Sequence, residues 1–402
     1  MTGTEIALAA AGLLLASAIA LELGQRLSDR LKRSRRRAAR SPRMLQFHLF
    51  SERGVALNDK PGALVLVLHP YVLYRAQPGQ RLDGLTINSL GYRGEEWTKE
   101  KRPDAVRILV VGSSIAFGAG VSDEQVFPAV LERLLRELAP DRRVEVLNGA
   151  GLGYNSSQQL VALATELLDY TPDVVIVSGG LIDFNAGRLA AIDRSPVNPV
   201  YDRIEEVLFD GVHRLRNTLR LSALYRGLER RIEALRPGPA RSPQMASALP
   251  ARDHPGGAAR YCATLERMCH LARGAGAKVL ILTEAESHLR RVDPVPAAEL
   301  ALRRSKGPAY EEAILAHYPL YVQAGEDVAR ALGLEHFDLT QAFHDVKDAL
   351  FVDWVHPNAL GHRLIARAIA PSVAALGGLA GEAGDGSPGR AASGAGTEKR
   401  ES

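Results

Sequence analysis

The sequence predicts an α/β fold in which helices cover both faces of a five-stranded parallel sheet, a three-layer α/β/α sandwich. Five short, almost continuously apolar runs alternate with helix-length segments between residues 107 and 376. Strands that are apolar on both sides are typical of parallel sheets buried between helices. The composition agrees, because 46% hydrophobic and 24% charged residues are ordinary proportions for a globular protein with a buried core.

The predicted strands and helices follow each other in a regular order. The strands are RILVVG (107–112), RVEVLN (143–148), DVVIVSGG (173–180), AKVLILTE (277–284) and LEHFDLT (334–340). The helices are predicted at 126–138, at 156–170, in a segment ending near Gly333, and at 358–376. We therefore expect residues 107–376 to form one domain.

Three other segments differ from this domain in composition. Residues 44–106 predict a lead-in segment of short strands and turns, since the strand-like run at 63–68 is followed by several Pro and Gly positions. Residues 185–270 interrupt the alternation after the third strand, and their Arg-rich, helix-forming sequence predicts an insertion of helices over one end of the sheet. The tail at 377–402 is rich in Gly, Ala and Ser, and we expect it to be disordered.

The N-terminus carries a membrane signal. Residues 6–21 are apolar and uncharged, which brings the segment 1–24 to the margin of the roughly 17–25 residues that a spanning helix needs. The small residues at 16–18 would suit cleavage of a signal peptide, but no Lys or Arg precedes the apolar run, and Glu5 does. We therefore expect residues 1–24 to be a retained, single-pass transmembrane helix.

A basic juxtamembrane linker at 25–43 follows this anchor. It contains nine Lys or Arg residues and one Asp, a net charge of +8, whereas the whole chain carries +4. The basic character of the protein is thus confined to the linker and gives no reason to expect a nucleic-acid partner. Its position favours contact with anionic lipid, and basic flanks tend to stay on the cytoplasmic side of a membrane.

The two cysteines, Cys262 and Cys269, are predicted to be packed thiols. They lie seven residues apart in a predicted helix, about 10 Å along its axis, which exceeds the reach of a disulfide. Neither further thiols nor suitably spaced histidines accompany them as metal ligands.

The glycines at 149–153 are spaced G-x-G-x-G, which does not match the dinucleotide-binding pattern. We expect no metal and no other cofactor.

Three short motifs contain residue types suited to nucleophilic catalysis. Serines follow the first strand of the sheet at 112–118, where a turn can expose a hydroxyl beyond the carboxyl ends of the strands. Asp353 and His356 precede the last helix at a spacing that lets the carboxylate hold one ring nitrogen while the other takes a proton. The glycine-rich segment at 148–155 could present a backbone N–H to an oxyanion. Each motif alone is also compatible with an ordinary turn or helix start.

Taken together and in their chain order, which is serine, glycine-rich segment and Asp-x-x-His, the motifs resemble those of the SGNH/GDSL hydrolases over roughly residues 105–376. The resemblance places Ser114 as the nucleophile of a catalytic triad with Asp353 and His356, and the backbone of Ser114 and Gly153 as the oxyanion hole. The segment 87–94 also resembles the lead-in of a bacterial subgroup of such proteins. The family implies a flavodoxin-like sandwich, no metal, and hydrolysis of esters or thioesters through an acyl-serine.

Two positions depart from the family pattern. Ser113 stands where the family has an Asp beside the nucleophile, a change expected to affect support of the loop more than the chemistry. Ile182 stands where the family's Gly-x-Asn-Asp motif has the Asn that donates to the oxyanion, and Ile182 cannot donate. Loss of one such donor typically costs about 10²–10³ in rate. Asn185 is a candidate substitute.

The sequence therefore predicts a membrane-tethered serine esterase whose substrate is an ester of a small molecule, glycan or lipid. The same triad would also serve an O-acyltransferase that uses a sugar or glycolipid as acceptor. A non-catalytic carbohydrate-binding protein with this fold is a third hypothesis, which Ile182 favours and the intact Ser114, Asp353 and His356 oppose. Many proteins of this kind work in the cell envelope, which conflicts with the position of the basic linker, so the side of the membrane stays open.

Three other features are expected to be structural. His362, in the last predicted helix, is interpreted as a surface or capping residue and not as a metal ligand. Trp354 is expected to pack beneath the loop that carries Asp353 and His356. The Arg-rich stretch at 214–231 is expected to be a solvated helix face.

Overall fold

A computed structural model of the chain describes residues 64–187 and 254–379, together with Gly24, Leu219, Tyr225 and Leu228. Its strands are β1 Leu66–His69, β2 Leu73–Ala76, β3 Arg81–Leu82, β4 Leu85–Thr86, β5 Ala105–Val111, β6 Arg143–Asn148, β7 Val174–Gly179, β8 Lys278–Thr283 and β9 Glu335–Asp338. Its helices are α1 Ser114–Phe117, α2 Phe127–Leu138, α3 Ser156–Thr165, α4 Leu181–Gly187, α5 His254–Gly274, α6 Ala297–Lys306, α7 Pro308–His317, α8 Pro319–Leu332, α9 Leu339–Ala342 and α10 Ala359–Leu376. Short 3₁₀ helices lie at Leu167–Tyr170 and Ser287–Leu289.

The central sheet has five parallel strands in the order β6-β5-β7-β8-β9. This is the order of flavodoxin-like sheets, in which the chain reverses direction across the sheet between the first and third strands. The loops after β5 and β7 therefore leave toward opposite faces and open a crevice at the carboxyl edge. The predicted fold class, including its five parallel strands, is confirmed.

Helices on the two faces bury the sheet. Helix α2 packs against α10, while α5 packs against α3, α4 and α8. Every residue of β5 and β7 is buried, which explains why these strands read as unbroken apolar runs in the sequence. The 3.6-residue period of α2 places Phe127, Leu131 and Leu135 on its buried face.

Two antiparallel hairpins precede the sheet in the lead-in segment. The first pairs β1 with β2, from Leu66 opposite Ala76 to His69 opposite Leu73, and the second pairs β3 with β4. Tyr74 in β2 is buried within the common core. The hairpins therefore pack on the domain itself and contribute to the site described below.

The sequence-based boundaries agree with the structure to within a few residues wherever both exist. The helix predicted at 156–170 is divided into α3 and a 3₁₀ turn, and the helices α6 and α7 were not predicted. Most of the insertion at 185–270 lies outside the described residues. The exceptions are the end of α4, three single residues at 219, 225 and 228, and the part of α5 that begins at His254. Cys262 and Cys269, both on α5, are free thiols, half-buried and buried respectively.

The predicted anchor at 1–24 lies outside the described residues except for Gly24, as do the basic linker at 25–43, the Arg-rich stretch at 214–231 apart from three residues, and the tail beyond Leu379. Among the residues that are described, no helix combines the length and the apolar character that crossing a membrane requires.

Candidate active site

Ser114 lies at the first turn after β5, at the carboxyl edge of the sheet. Ser113 caps the short helix α1, and Ser114 is the first residue of that helix, so its N–H comes before any intrahelical acceptor. Gly112 permits this tight turn, because a Cβ there would lie 2.6 Å from the Cβ of Ala116. The helix ends after one turn at Gly118, whose φ of 86° is left-handed. Strand and turn together hold Ser114 in one orientation.

His356 and Asp353 reach Ser114 from the loop between α9 and α10. The Nε2 atom of His356 lies 2.9 Å from Ser114 Oγ, and its Nδ1 atom lies 2.7 Å from Asp353 Oδ2. Since the carboxylate can only accept, Nδ1 carries the proton and Nε2 is left to accept from the serine hydroxyl. The structure thus brings the three predicted triad residues into one hydrogen-bonded chain, although Ser114 and His356 are 242 positions apart.

The carboxylate of Asp353 also shapes its own loop. Its Oδ1 accepts the backbone N–H groups of Val355, at 2.9 Å, and His356, at 2.8 Å. Burial alone would raise the pKa of Asp353, but the hydrogen bonds and the charge of His356 outweigh burial and lower it. Asp353 is therefore held as the anion that an imidazolium partner needs.

A buried ion pair anchors the chain just before this loop. Glu299, on α6, pairs with Arg290 and accepts the backbone N–H of Leu350. Arg290 also donates to the carbonyls of Phe343 and Asp348. All of these bonds fix the position of the segment that immediately precedes Asp353 and His356 in the chain. The sequence reasoning missed Arg290 and Glu299, because neither stands in a motif.

Trp354 lies in the same loop, with its backbone carbonyl accepting from the N–H of Ser287 at 3.0 Å. The Nζ atom of Lys306, at the end of α6, is 3.7 Å from the centre of the indole ring. This cation–π contact covers the half-buried ring from the side of α6. The structure therefore places Trp354 in a packed position, as the sequence analysis expected.

The glycine-rich loop that carries Gly153 is held by the lead-in hairpin. The hydroxyl of Tyr74 donates to the carbonyl of Leu152 at 2.8 Å, and the hydroxyl of Tyr154 donates to the carbonyl of Tyr74 at 2.6 Å. Gly153 has a φ of 67°, and a Cβ there would lie 3.0 Å from the Tyr74 hydroxyl. These two features favour a glycine at 153, and Tyr74 is a supporting residue that the sequence reasoning did not identify.

The segment with the altered family motif starts helix α4. Ile182 is half-buried, and Asn185 lies one turn later on the same helix, also half-buried. Asp183 points inward and accepts from the backbone N–H and the hydroxyl of Ser156, at 3.0 and 2.6 Å. Burial raises the pKa of Asp183 to about 6, against the effect of the Ser156 hydrogen bonds. The motif is thus tied to the start of α3.

His362 is not a surface residue, and this part of the expectation was wrong. It is fully buried, and its Nδ1 atom accepts the backbone N–H of Phe127 at 3.2 Å. Phe127 is the first residue of α2, so His362 caps that helix from a distant part of the chain. Burial, reinforced by Arg93 and His356, lowers the pKa of His362 to about 3 and keeps the ring neutral as an acceptor.

Arg93, from the lead-in segment 87–94, supports the loop that follows α1. Its guanidinium donates to the carbonyls of Phe117, Gly118 and Val121 and pairs with Asp123 at 2.7 Å. These bonds hold the chain immediately after the nucleophile candidate.

Within residues 64–187 and 254–379, no three His, Cys, Asp or Glu side chains are placed to share a metal ion.

Comparison with known proteins assigns the chain to a family. A sequence model described as the GDSL-like lipase/acylhydrolase family matches residues 110–364. Among solved structures, a catalytic mutant of the acetylxylan esterase Axe2 from Geobacillus stearothermophilus is 15% identical with a TM-score of 0.39, covering 69% of this chain and 96% of that one. TesA is 19% identical with a TM-score of 0.38, covering 67% and 99%. LAE5, from the metagenome of Lake Arreo in Spain, is 17% identical with a TM-score of 0.39, covering 68% and 96%. Comparison with curated protein sequences gives no match.

Proposed function

The chain belongs to the GDSL-like lipase/acylhydrolase family and is thus a hydrolase that acts on ester bonds, and from this premise we propose that it is a serine esterase working through an acyl-serine intermediate. Ser114 is the nucleophile, His356 the general base and acid, and Asp353 the residue that orients the imidazole. The substrate is an ester or thioester of a small molecule, glycan or lipid. No metal or other cofactor takes part in these steps.

One observation carries the proposal: the unbroken chain of two hydrogen bonds from Ser114 through His356 to Asp353, at 2.9 and 2.7 Å. Both distances lie within the range required for proton transfer from a nucleophile to its base. The three hydrogen-bonded side chains lie at the carboxyl edge of a parallel sheet, the edge at which such folds bind ligands. Geometry and position therefore point to the same chemistry.

The reaction proceeds in two halves. The Ser114 oxygen attacks the acyl carbon while its proton moves to Nε2 of His356, and Asp353 stabilises the imidazolium. The imidazolium then protonates the departing alcohol or thiol, which leaves the acyl group on Ser114. Water, deprotonated by His356, attacks the acyl carbon, and the Ser114 oxygen leaves with the proton to regenerate the enzyme.

The oxyanion formed in each half needs hydrogen-bond donors. The N–H of Ser114 is suited to this role because the first N–H groups of a helix have no acceptor within the helix. The backbone of Gly153, held by Tyr74, is the second candidate donor. With Ile182 at the usual Asn position, this hole has one side-chain donor fewer than the family pattern.

The proposal is tested by labelling the purified full chain with a fluorophosphonate, which reacts with activated serines. We expect one adduct per chain, located on Ser114 by peptide mass spectrometry and absent from Ser114→Ala. Ser305→Ala, which removes an exposed serine on α6, is the matched control and should label normally. A correctly folded chain that gives no adduct, or an adduct that survives in Ser114→Ala, would rule out the proposal.

Replacing Ile182 with Asn is expected to raise kcat for ester hydrolysis by about 10²-fold, with KM changing little, because it restores a donor used only in the transition state. Steady-state kinetics on an activated aryl ester provides the measurement. Ile182→Val, which is similar in volume to Ile and donates nothing, serves as the control and should keep the original kcat. An unchanged or lower kcat in a folded Ile182→Asn protein would mean that position 182 does not face the oxyanion.

A further inference from the structure

A buried carboxylate lies directly behind the turn that carries the nucleophile. Glu284 follows β8, and its backbone N–H donates to the carbonyl of Gly179 at 2.9 Å, which extends the sheet by one residue. Its side chain is fully buried. Strand β7 lies between β8 and β5 in the sheet, so Glu284 reaches across the end of β7 toward the end of β5.

The side chain of Glu284 contacts the residue next to the nucleophile. The hydroxyl of Ser113 donates to Glu284 Oε1 at 2.6 Å, the length of a charge-assisted hydrogen bond. The same Ser113 oxygen faces the N–H of Ile115 at 3.4 Å, and the Ser113 carbonyl accepts from Phe117 at 2.9 Å. Ser113 is thus a cap whose hydroxyl orientation is set from β8, and Ser114 is the first residue of the helix that it caps.

No described Lys, Arg or His forms an ion pair with Glu284. The ionisable groups that face it are the carboxyl of Asp183 on α4 and the hydroxyls of Tyr261 on α5 and Tyr318 before α8, and the last donates to the Glu284 backbone carbonyl. The pKa of Glu284 is raised to about 7, mainly by burial, and the nearby charge of Asp183 acts in the same direction. The hydrogen bond from Ser113 opposes both effects and lowers this pKa. A buried acid with no cation lowers the stability of a fold, so its presence calls for another reason.

We propose that Glu284 is a positioning residue for the nucleophile and that it acts through Ser113. The family pattern places a carboxylate at position 113, beside the nucleophile, and this chain has a hydroxyl there. Glu284 supplies the carboxylate from the neighbouring part of the sheet and, through the Ser113 cap, holds both the Oγ and the N–H of Ser114. The inference rests on the proposed role of Ser114 as nucleophile.

The physical basis is the precision that catalysis requires. The N–H of Ser114 must point at the oxyanion while its Oγ stays within reach of His356, and a displacement of about 1 Å can cost about 10²-fold in rate. Helix α1 is only four residues long, so its internal hydrogen bonds hold the carbonyl of Ser114, which accepts from Gly118 and Ala119 at 3.0 Å, but not its N–H. The bond from Ser113 to Glu284 ties this end of the helix to the sheet.

The test moves the carboxylate from position 284 to position 113 in the full-length protein. Glu284→Gln should lower kcat about tenfold at unchanged KM, because an amide is a weaker acceptor for Ser113. Ser113→Asp should lower kcat at least as much, because it sets two carboxylates against each other. In the double variant Ser113→Asp/Glu284→Gln, the introduced amide can donate to the introduced carboxylate, and we expect kcat to return to within about threefold of the parent.

Two controls separate the outcomes. Glu312→Gln removes an exposed carboxylate on α7 and should leave kcat unchanged. Thermal unfolding at pH 8 should place Glu284→Gln at or above the parent Tm, since the substitution removes a buried charge; a loss of kcat is then not a loss of folded protein. The inference is overturned if Glu284→Gln keeps full kcat, or if the kcat of the double variant does not exceed that of the less active single variant.

Ser114→Ala, assayed beside these variants, distinguishes this inference from the proposed function. If Ser114→Ala is inactive while Glu284→Gln keeps its full kcat, only the positioning role fails. If Ser114→Ala remains active, the nucleophile itself is misassigned, and the positioning role falls with it.

Discussion

Replacing Ser114 with Ala is expected to lower kcat for ester hydrolysis by about 10⁵–10⁶-fold, and replacing His356 with Ala should have an effect of similar size. The two side chains act as one unit, since His356 Nε2 lies 2.9 Å from Ser114 Oγ. The attack on the acyl carbon needs both the Ser114 oxygen and the His356 nitrogen that accepts its proton. For the same reason, we expect the double variant to be no less active than either single variant.

The measurement is kcat on an activated aryl ester, with folding checked by circular dichroism. Ser305→Ala on α6 and His270→Ala on α5 remove exposed residues of the same types and should retain the parent rate. Residual activity within a hundredfold of the parent in either active-site variant would show that the hydrolysis does not pass through this pair.

Asp353→Asn is expected to lower kcat by about 10⁴-fold while leaving the loop folded. Asp353 Oδ1 accepts two backbone N–H groups of the loop, which the carbonyl oxygen of an Asn can also accept. The amide nitrogen then faces His356 Nδ1 and donates to it, which forces the ring proton onto Nε2. In that tautomer Nε2 cannot accept the proton of Ser114.

This prediction is checked by the kcat values of Asp353→Asn and of Asp327→Asn, a control at an exposed position on α8. We expect the control to match the parent. A decrease of less than tenfold in folded Asp353→Asn would mean that the Asp353 carboxylate is not needed to orient the imidazole, and the two-residue dyad of Ser114 and His356 would then be the working unit.

The pKa of Asp353 also bears on acid sensitivity. Because its hydrogen bonds lower this pKa in the folded state, the ionised carboxylate contributes stability that is present above the pKa of an unfolded Asp. That contribution is lost as the pH falls through the lower, folded value. The orientation of His356 is therefore maintained across the neutral range.

The features predicted correctly from the sequence alone are those governed by local physics. The apolar runs at 107–112 and 173–180 are short, rich in branched side chains and end at Gly, which is typical of buried strands, and they form β5 and β7. The three-residue spacing of Asp353 and His356 likewise determines their contact, because a single turn brings the carboxylate to Nδ1.

Contacts between distant segments could not be predicted in this way. The hydrogen bond of His362 to Phe127, the bond of Tyr74 to Leu152 and the pairing of Ser113 with Glu284 join residues between 78 and 235 positions apart. No period or motif encodes such pairs, because they depend on strand order, on register and on how the lead-in hairpin packs.

The sequence by itself thus determined the parallel sheet, the positions of its strands and the residue types of the candidate triad. The tertiary structure decided that Ser114 meets His356, that a buried Glu284 supports Ser113, and that His362 lies in the core. The physical reason is that secondary structure and tight turns depend on neighbouring residues, whereas a site at the edge of a sheet is assembled by strand order, which brings chain ends together only after the whole domain has folded.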